Sequence, residues 1–252
     1  MPAYYDSYDY SSYWNGREYE HESEVIAIRE LLKKIRSVDK ALEIGGGFGR
    51  LLPFYVYRTK STTLTEPSSQ LLSLAKKNLS RYKNVKFIQS TLENIVKKTK
   101  KRSFGLVLMV RVMHHMESAD KTFAEIEELV TDNGYFILEF ANKIHFKNVI
   151  EHFWKKDFGF INNKETIDIR SAKSKKKKTI LFVNYHPSLI KETLAKHGFE
   201  IIETRSVSNI RSVFMKKHLP KTFLLEIERY LQIPLSYIYF GPSIFVLAKK
   251  RG

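Results

Sequence analysis

The chain has 252 residues, of which 43 are Lys or Arg and 27 are Asp or Glu, giving a formal charge of +16; 43% are hydrophobic, 13% are aromatic and none is cysteine. This content supplies the core of one α/β domain over residues 1–252 and excludes disulfides and thiolate chemistry. No apolar run nears the roughly 18 residues of a membrane span, and no basic segment followed by an apolar one opens the chain, so a soluble, cytoplasmic protein is expected.

The positive excess admits two readings. Lys scattered over helix surfaces makes a solvated face, whereas a concentrated patch seats nucleic acid or another polyanion; Lys173 and Lys175–Lys178 form the one dense block. Residues 1–20 hold six of the fourteen tyrosines plus Trp14, without helical or alternating period. Such a segment is either a loose tail or a lid in which Tyr13, Trp14, Arg17 and Tyr19 fold over a ligand and exclude water. Val25, Ile26, Ile28, Leu31, Leu32 and Ile35 then recur at helical spacing, so a helix precedes the first strand.

Residues 41–53, ALEIGGGFGRLLP, read as a buried strand, a glycine-rich turn and a helix continued by Leu51, Leu52, Phe54 and Tyr55. Gly45, Gly47 and Gly49 let the backbone approach a ligand, and Glu43 sets a carboxylate at the strand end. That acid would repel a pyrophosphate, and Arg50 stands where a dinucleotide loop has its third glycine. A cofactor carrying an ammonium and a sulfonium suits the turn better. Glu66 ends the next strand, STTLTEP at 61–67, and lies 21 residues after Gly45, the distance at which a doubly wound sheet delivers an acid to ribose hydroxyls.

Ser68 caps a helix whose buried stripe is Leu71, Leu72, Ala75 and Leu79, and NVKFIQ (84–89) makes the third strand. FGLVLMV (104–110) is continuously apolar, as in a parallel strand covered on both faces. It runs into Arg111, Val112, Met113, His114, His115 and Met116, beyond the carboxyl end where an open α/β sheet keeps its ligand crevice. His114 or His115 is a general base in one reading, and packs against the cofactor or caps the next helix in the other. A metal site is disfavoured, because adjacent side chains on a turn point apart and no further ligand is suitably spaced.

A helix through Phe123, Ile126, Leu129 and Val130, a TDNG turn (131–134) and a strand YFILEF (135–140) follow. Residues 141–178 interrupt the alternation, and Phe146, Ile150, Phe153 and Trp154 form one apolar wall of an acceptor pocket built from residues 141–186. TILFVNYHP (179–187) is strand-like, Pro187 opens a helix, and His186 before it is either a second base or that helix's cap. Strands at 197–208 and 241–250, with a helix at 220–232 between them, bring the sheet to seven strands.

The E-x-G-x-G-x-G run after an apolar strand resembles motif I of class I S-adenosylmethionine (SAM)-dependent methyltransferases, and the order of elements over most of residues 21–250 is similar to theirs. The resemblance implies an α/β, doubly wound, Rossmann-like seven-stranded sheet with its last strand antiparallel, helices on both faces, an N-terminal lid and an insertion after strand five. It implies SAM as cofactor and S-adenosylhomocysteine as product, without a metal, held by Glu43, Gly45, Gly47, Gly49 and Glu66. Arg111 would face the methyl group, and the YW-x-GR-x-YE run at 13–20 is similar to the aromatic entry segment of small-molecule methyltransferases. The family's adenine-binding motif falls at Ser90, Thr91 and Leu92, where Thr91 replaces an expected Asp with a weaker, neutral acceptor. RVMHHM stands where nitrogen methyltransferases carry Asn/Asp-Pro-Pro-aromatic, which tilts the expectation toward a small-molecule acceptor methylated at a hydroxyl, carboxyl or carbon. An RNA methyltransferase and a non-catalytic SAM-binding protein of the same fold are the alternatives.

Overall fold

The computed structural model describes residues 6, 10, 12–177 and 179–252; the expected lid residues 1–5, 7–9 and 11, and Lys178 of the lysine block, lie outside the described residues. The elements run α1 (Glu18–Leu32), β1 (Val38–Ile44), β2 (Thr59–Glu66), α2 (Ser69–Asn78), β3 (Val85–Gln89), α3 (Leu92–Lys98), β4 (Phe104–Met109), α4 (Ala119–Leu129) and β5 (Val130–Ala141). Then come α5 (Phe146–Trp154), β6 (Ile167–Asp168), α6 (Ala172–Lys176), β7 (Val183–Asn184), α7 (Pro187–Lys196), β8 (Phe199–Val207), α8 (Val213–His218), α9 (Lys221–Leu231) and β9 (Ser243–Lys250).

Seven strands pair in the order β3-β2-β1-β4-β5-β9-β8. Neighbours from β3 through β5 are parallel, and β9 runs antiparallel to both β5 and β8, as the resemblance implied. Period-two alternation sends Leu42 and Ile44 of β1, with Val107 and Met109 of β4, into one core under α3, α4 and α7. Ala41, Leu106 and Leu108 enter a second core on the opposite face, under α1 and α2. The continuously apolar β4 is therefore buried on both sides. Helix α4 begins where Ser118 Oγ accepts the Lys121 amide at 3.2 Å. Its inner stripe includes Phe123 and Ile126, both fully buried, each worth about 1.5–3 kcal/mol relative to exposure.

Three local expectations fail. After the glycine turn there is no α-helix but two 3₁₀ turns, Leu52–Phe54 and Val56–Arg58. Pro53 sits at the start of the first and removes a helical amide, and β2 begins at Thr59, so the stretch is too short to propagate an α-helix. The TDNG segment does not separate α4 from a strand: β5 starts at Val130, and Asn133, at φ 61°, bends it where the β4–β5 register shifts. Of residues 179–187, Val183–Asn184 alone is strand, paired with β6 outside the main sheet. Lys173, Lys175 and Lys176 of the lysine block lie on the five-residue α6, where Lys175 approaches Asp168 at 3.6 Å.

Candidate active site

The turn after β1 is shaped by glycine. Gly45 has φ 63°, and a Cβ there would stand 2.4 Å from Val112 Cγ2, so side-chain-free backbone is what lets the β1 turn nest against the turn after β4. Gly47, at φ 56°, instead faces open space whose nearest atom is Tyr10 Cε1 at 3.8 Å from a Cβ position. Its amide donates to Glu66 Oε2 at 3.0 Å, and the Ser68 amide donates to Oε1 at 2.9 Å. Gly49 differs from the expectation: it does not line the cavity, and a Cβ there would strike Leu79 Cδ1 at 2.3 Å, so its role is packing against α2.

A cavity of about 200 Å³ opens at the carboxyl ends of β1, β2 and β4. Glu43, Gly45, Gly47, Glu66, Thr91 and Leu92 all line it, as does Arg111. Two carboxylates from adjacent strands thus reach one small space. Glu43 accepts from the Tyr55 hydroxyl at 2.6 Å, and burial pushes its carboxyl up to about 7. Burial likewise raises Glu66, against the pull of the Ser68 and Gly47 amides. Thr91 lies at the adenine-motif position but its Oγ1 caps α3, accepting the Asn94 amide at 3.3 Å.

Arg111 lines the cavity in a left-handed conformation, φ 61°, with its amide donating to Glu139 Oε2 at 2.8 Å. Its guanidinium is committed elsewhere: Nη2 lies 2.5 Å and Nε 2.7 Å from Glu24 Oε1, while Arg50 Nη2 lies 2.5 Å from Glu24 Oε2. Burial alone would raise the Glu24 carboxyl, but Arg111 and Arg50 hold it below its ordinary value. Trp14 covers this cluster, with the Arg50 guanidinium 3.6 Å and the Arg111 guanidinium 5.5 Å from its ring. Glu24 and Glu139 were missed from sequence, although an acid inside an otherwise apolar helix stripe or strand is the signal that marks each.

The aromatic entry segment divides in two. Tyr10 lines the cavity and stacks on Tyr13 at 5.7 Å, whereas Tyr13, Trp14 and Arg17 stand behind it, Arg17 over the Tyr13 ring at 4.2 Å. Tyr19 is no part of a lid: it belongs to α1 and its buried hydroxyl donates to Glu228 of α9. Asp6 reaches the start of α2, accepting from Ser68 Oγ at 2.7 Å.

Of the three histidines, His115 lines the cavity. Its Nδ1 lies 2.6 Å from the Leu181 carbonyl, which fixes the proton there and the basic lone pair on Nε2; burial lowers its pKa, so the ring is neutral at physiological pH. His114 is buried against Phe182 at 4.3 Å, and burial drives its pKa well down. The two rings do not point apart as expected but meet at 4.0 Å within the 3₁₀ turn Met113–His115, with the Phe182 ring packed against both. His186 is the cap of α7, accepting from the Ser188 amide at 3.1 Å with its other nitrogen on the Ile161 carbonyl, and it does not reach the cavity. No group of three or more potential metal ligands occurs among the described residues. The expected apolar wall is turned outward: Phe153 and Trp154 are 59% and 78% exposed, and α5 buries no residue. Ile180 is what residues 141–186 contribute to this cavity among the described residues.

Residues 42–138 match the family model of a methyltransferase domain. A curated relative, the malonyl-[acyl-carrier protein] O-methyltransferase of Halalkalibacterium halodurans, is 26% identical over 144 residues, 55% of this chain and 53% of that protein, so the match spans about half the length of the relative. Among solved structures, a SAM-dependent methyltransferase of Thermotoga maritima has a TM-score of 0.62 at 18% identity, covering 98% of this chain and 99% of its own. Another, from Leishmania major, has a TM-score of 0.65 at 13% identity, covering 98% of this chain and 80% of its own. At such identities these likenesses establish the fold.

Proposed function

We infer that the chain is a class I SAM-dependent methyltransferase, and from that premise propose that it methylates a small-molecule acceptor, at oxygen or carbon, by direct in-line displacement. The observation that carries the cofactor assignment is the pair of buried carboxylates at the ends of β1 and β2, with Glu66 clamped between the Gly47 and Ser68 amides. Their chemistry fits SAM. Each is held in a site that penalises its charge, so a cationic group near Glu43 and hydroxyl donors near Glu66 are the ligands that relieve the penalty. Leu92 and Thr91 offer an apolar contact and a hydroxyl on the adenine side, and Tyr10 shields the Gly47 face. Bound SAM supplies an electrophilic methyl group on sulfonium, for which alignment of the nucleophile provides most of the acceleration.

The residues of the chain do the rest. The β1 turn and Glu66 orient the cofactor, Tyr10, backed by Trp14, excludes water, and His115, neutral and with its basic nitrogen set by the Leu181 carbonyl, accepts a proton from an acceptor hydroxyl, whereas a carboxylate acceptor would need no base. The O-methyltransferase activity in the name of the Halalkalibacterium relative supports oxygen as the methylated atom. The test is calorimetric titration with SAM and S-adenosylhomocysteine. Loss of two carboxylate hydrogen bonds, each worth about 1.5–3 kcal/mol, should weaken binding by more than about 100-fold in Glu66→Ala, and Gly47→Val should abolish it. Wild-type affinity in both variants, with unchanged thermal midpoints, would sink the site assignment.

A further inference from the structure

A second cleft of about 630 Å³ lies along the same edge of the sheet, lined by residues that follow β5, follow β8 and precede β9, and it shares no lining residue with the first cavity. Its floor is apolar, made by Ile210, Met215, Leu235 and Phe240, the last stacked on Phe146 at 4.7 Å. Its rim carries Lys147 and Arg211, both exposed and neither paired with a carboxylate among the described residues. His145 also lines it. This histidine is 9% exposed and sits at the cap of α5, where its carbonyl accepts the Val149 amide at 3.1 Å while its ring makes no hydrogen bond to a described residue. Burial, with Arg211 and Lys147 acting in the same direction, pushes its imidazole down to about 4, so the ring is neutral and keeps one N–H to give. The carboxylate that acts on it, Glu151, is itself bonded to Lys155 at 2.7 Å.

An imidazole whose ring is bonded to no described residue, two cations without a carboxylate partner among the described residues and an apolar floor converge on one space. Each selects a different part of a ligand. The cations and the imidazole N–H favour an anionic head and repel a cationic one, whereas the floor gains from an aliphatic or aromatic body that leaves water. We propose that this cleft is a binding site for a small anionic amphiphile, with its charged head on Arg211 and Lys147 beside His145 and its apolar body along Met215, Leu235 and Phe240. The site stands on its own geometry and does not require methyl transfer at the first cavity.

Isothermal titration of the full chain with octanoate, octyl phosphate and octanol tests the proposal. At least one anion should bind about tenfold more tightly than octanol, the size of one charge-assisted contact, and the better of the two identifies the head group as carboxylate or phosphate. Arg211→Gln and Lys147→Gln should each remove most of that preference, and Met215→Glu should weaken all three ligands. Circular dichroism and an unchanged thermal midpoint establish that the variants are folded. Equal affinity for octanol and both anions overturns the proposal. So does a preference that survives the Arg211→Gln/Lys147→Gln double variant, or failure of both anions to bind at millimolar concentration.

Discussion

Glu24→Ala probes the buried charge cluster that holds the turn after β4. Glu24 is fully buried, and its two carboxylate oxygens are each engaged at 2.5 Å, one by Arg111 and one by Arg50, whose side chains are 24% and 11% exposed. Removing the shared acid strands two cations that water reaches poorly, and breaking a buried pair costs about 3–5 kcal/mol. The lower end applies because Arg111 retains some solvent, so a loss of about 3 kcal/mol is expected, equal to a fall of about 6–12 °C in thermal midpoint for a domain of this size. Urea denaturation at neutral pH, followed by tryptophan fluorescence, measures it. A double-mutant cycle with Arg50→Ala should return a coupling above about 1 kcal/mol. Additive single variants, or a Glu24→Ala protein within about 0.5 kcal/mol of the parent, would refute the reasoning. The pH dependence has a definite sign. Burial opposes ionisation of Glu24, but Arg111 and Arg50 hold its carboxyl below the ordinary 4.5, so its stabilisation is present above that value and drains as pH falls through the folded-state pKa.

Glu43 titrates in the opposite sense. Burial raises it from 4.5 to about 7, so its contribution is full below 4.5 and is lost as pH rises through about 7, a change of about 3 kcal/mol that Glu43→Gln should flatten in a stability–pH profile; superimposable profiles would contradict the burial account. Gly45→Ala should destabilise by about 1–3 kcal/mol through its contact with Val112 and its positive φ, and adding Val112→Ala should restore part of the loss; no rescue would mean the clash is not the cause. Tyr10→Ala should weaken S-adenosylhomocysteine binding by about tenfold with little change in midpoint, whereas unaltered affinity would remove Tyr10 from the site. In a methyl-transfer assay with an identified acceptor, His115→Gln should lower kcat with little effect on cofactor affinity, and an unchanged kcat excludes His115 as base.

Much of the architecture is written in local sequence. A continuously apolar run at 104–110, with short strand-like stretches at 41–44, 61–66, 84–89 and 135–140 separated by capped amphipathic helices, is enough to specify parallel strands, because burying both faces of the central run leaves few other solutions. The glycine turn and Glu66 are legible for the same reason: a positive φ and a strand-end acid are properties of single positions. Helix after the turn and strand at 179–187 were misread where one proline, or the lack of a pairing partner, overrode apolar spacing.

Charge placement inside the fold was decided by tertiary structure alone. Nothing in the spacing of Glu24, Arg50 and Arg111 announces that one acid joins α1, the glycine loop and the turn after β4, since their contact exists only once three distant segments share a low-dielectric space. The same packing sorted the histidines: His115 faces the cavity, His114 is sealed against Phe182, and His186 serves as a helix cap. It also turned α5 outward and opened the second cleft beside His145. The sequence by itself determined the main strands and the glycine turn through local backbone and burial preferences; which side chains meet across the carboxyl edge depended on how the sheet brought them together.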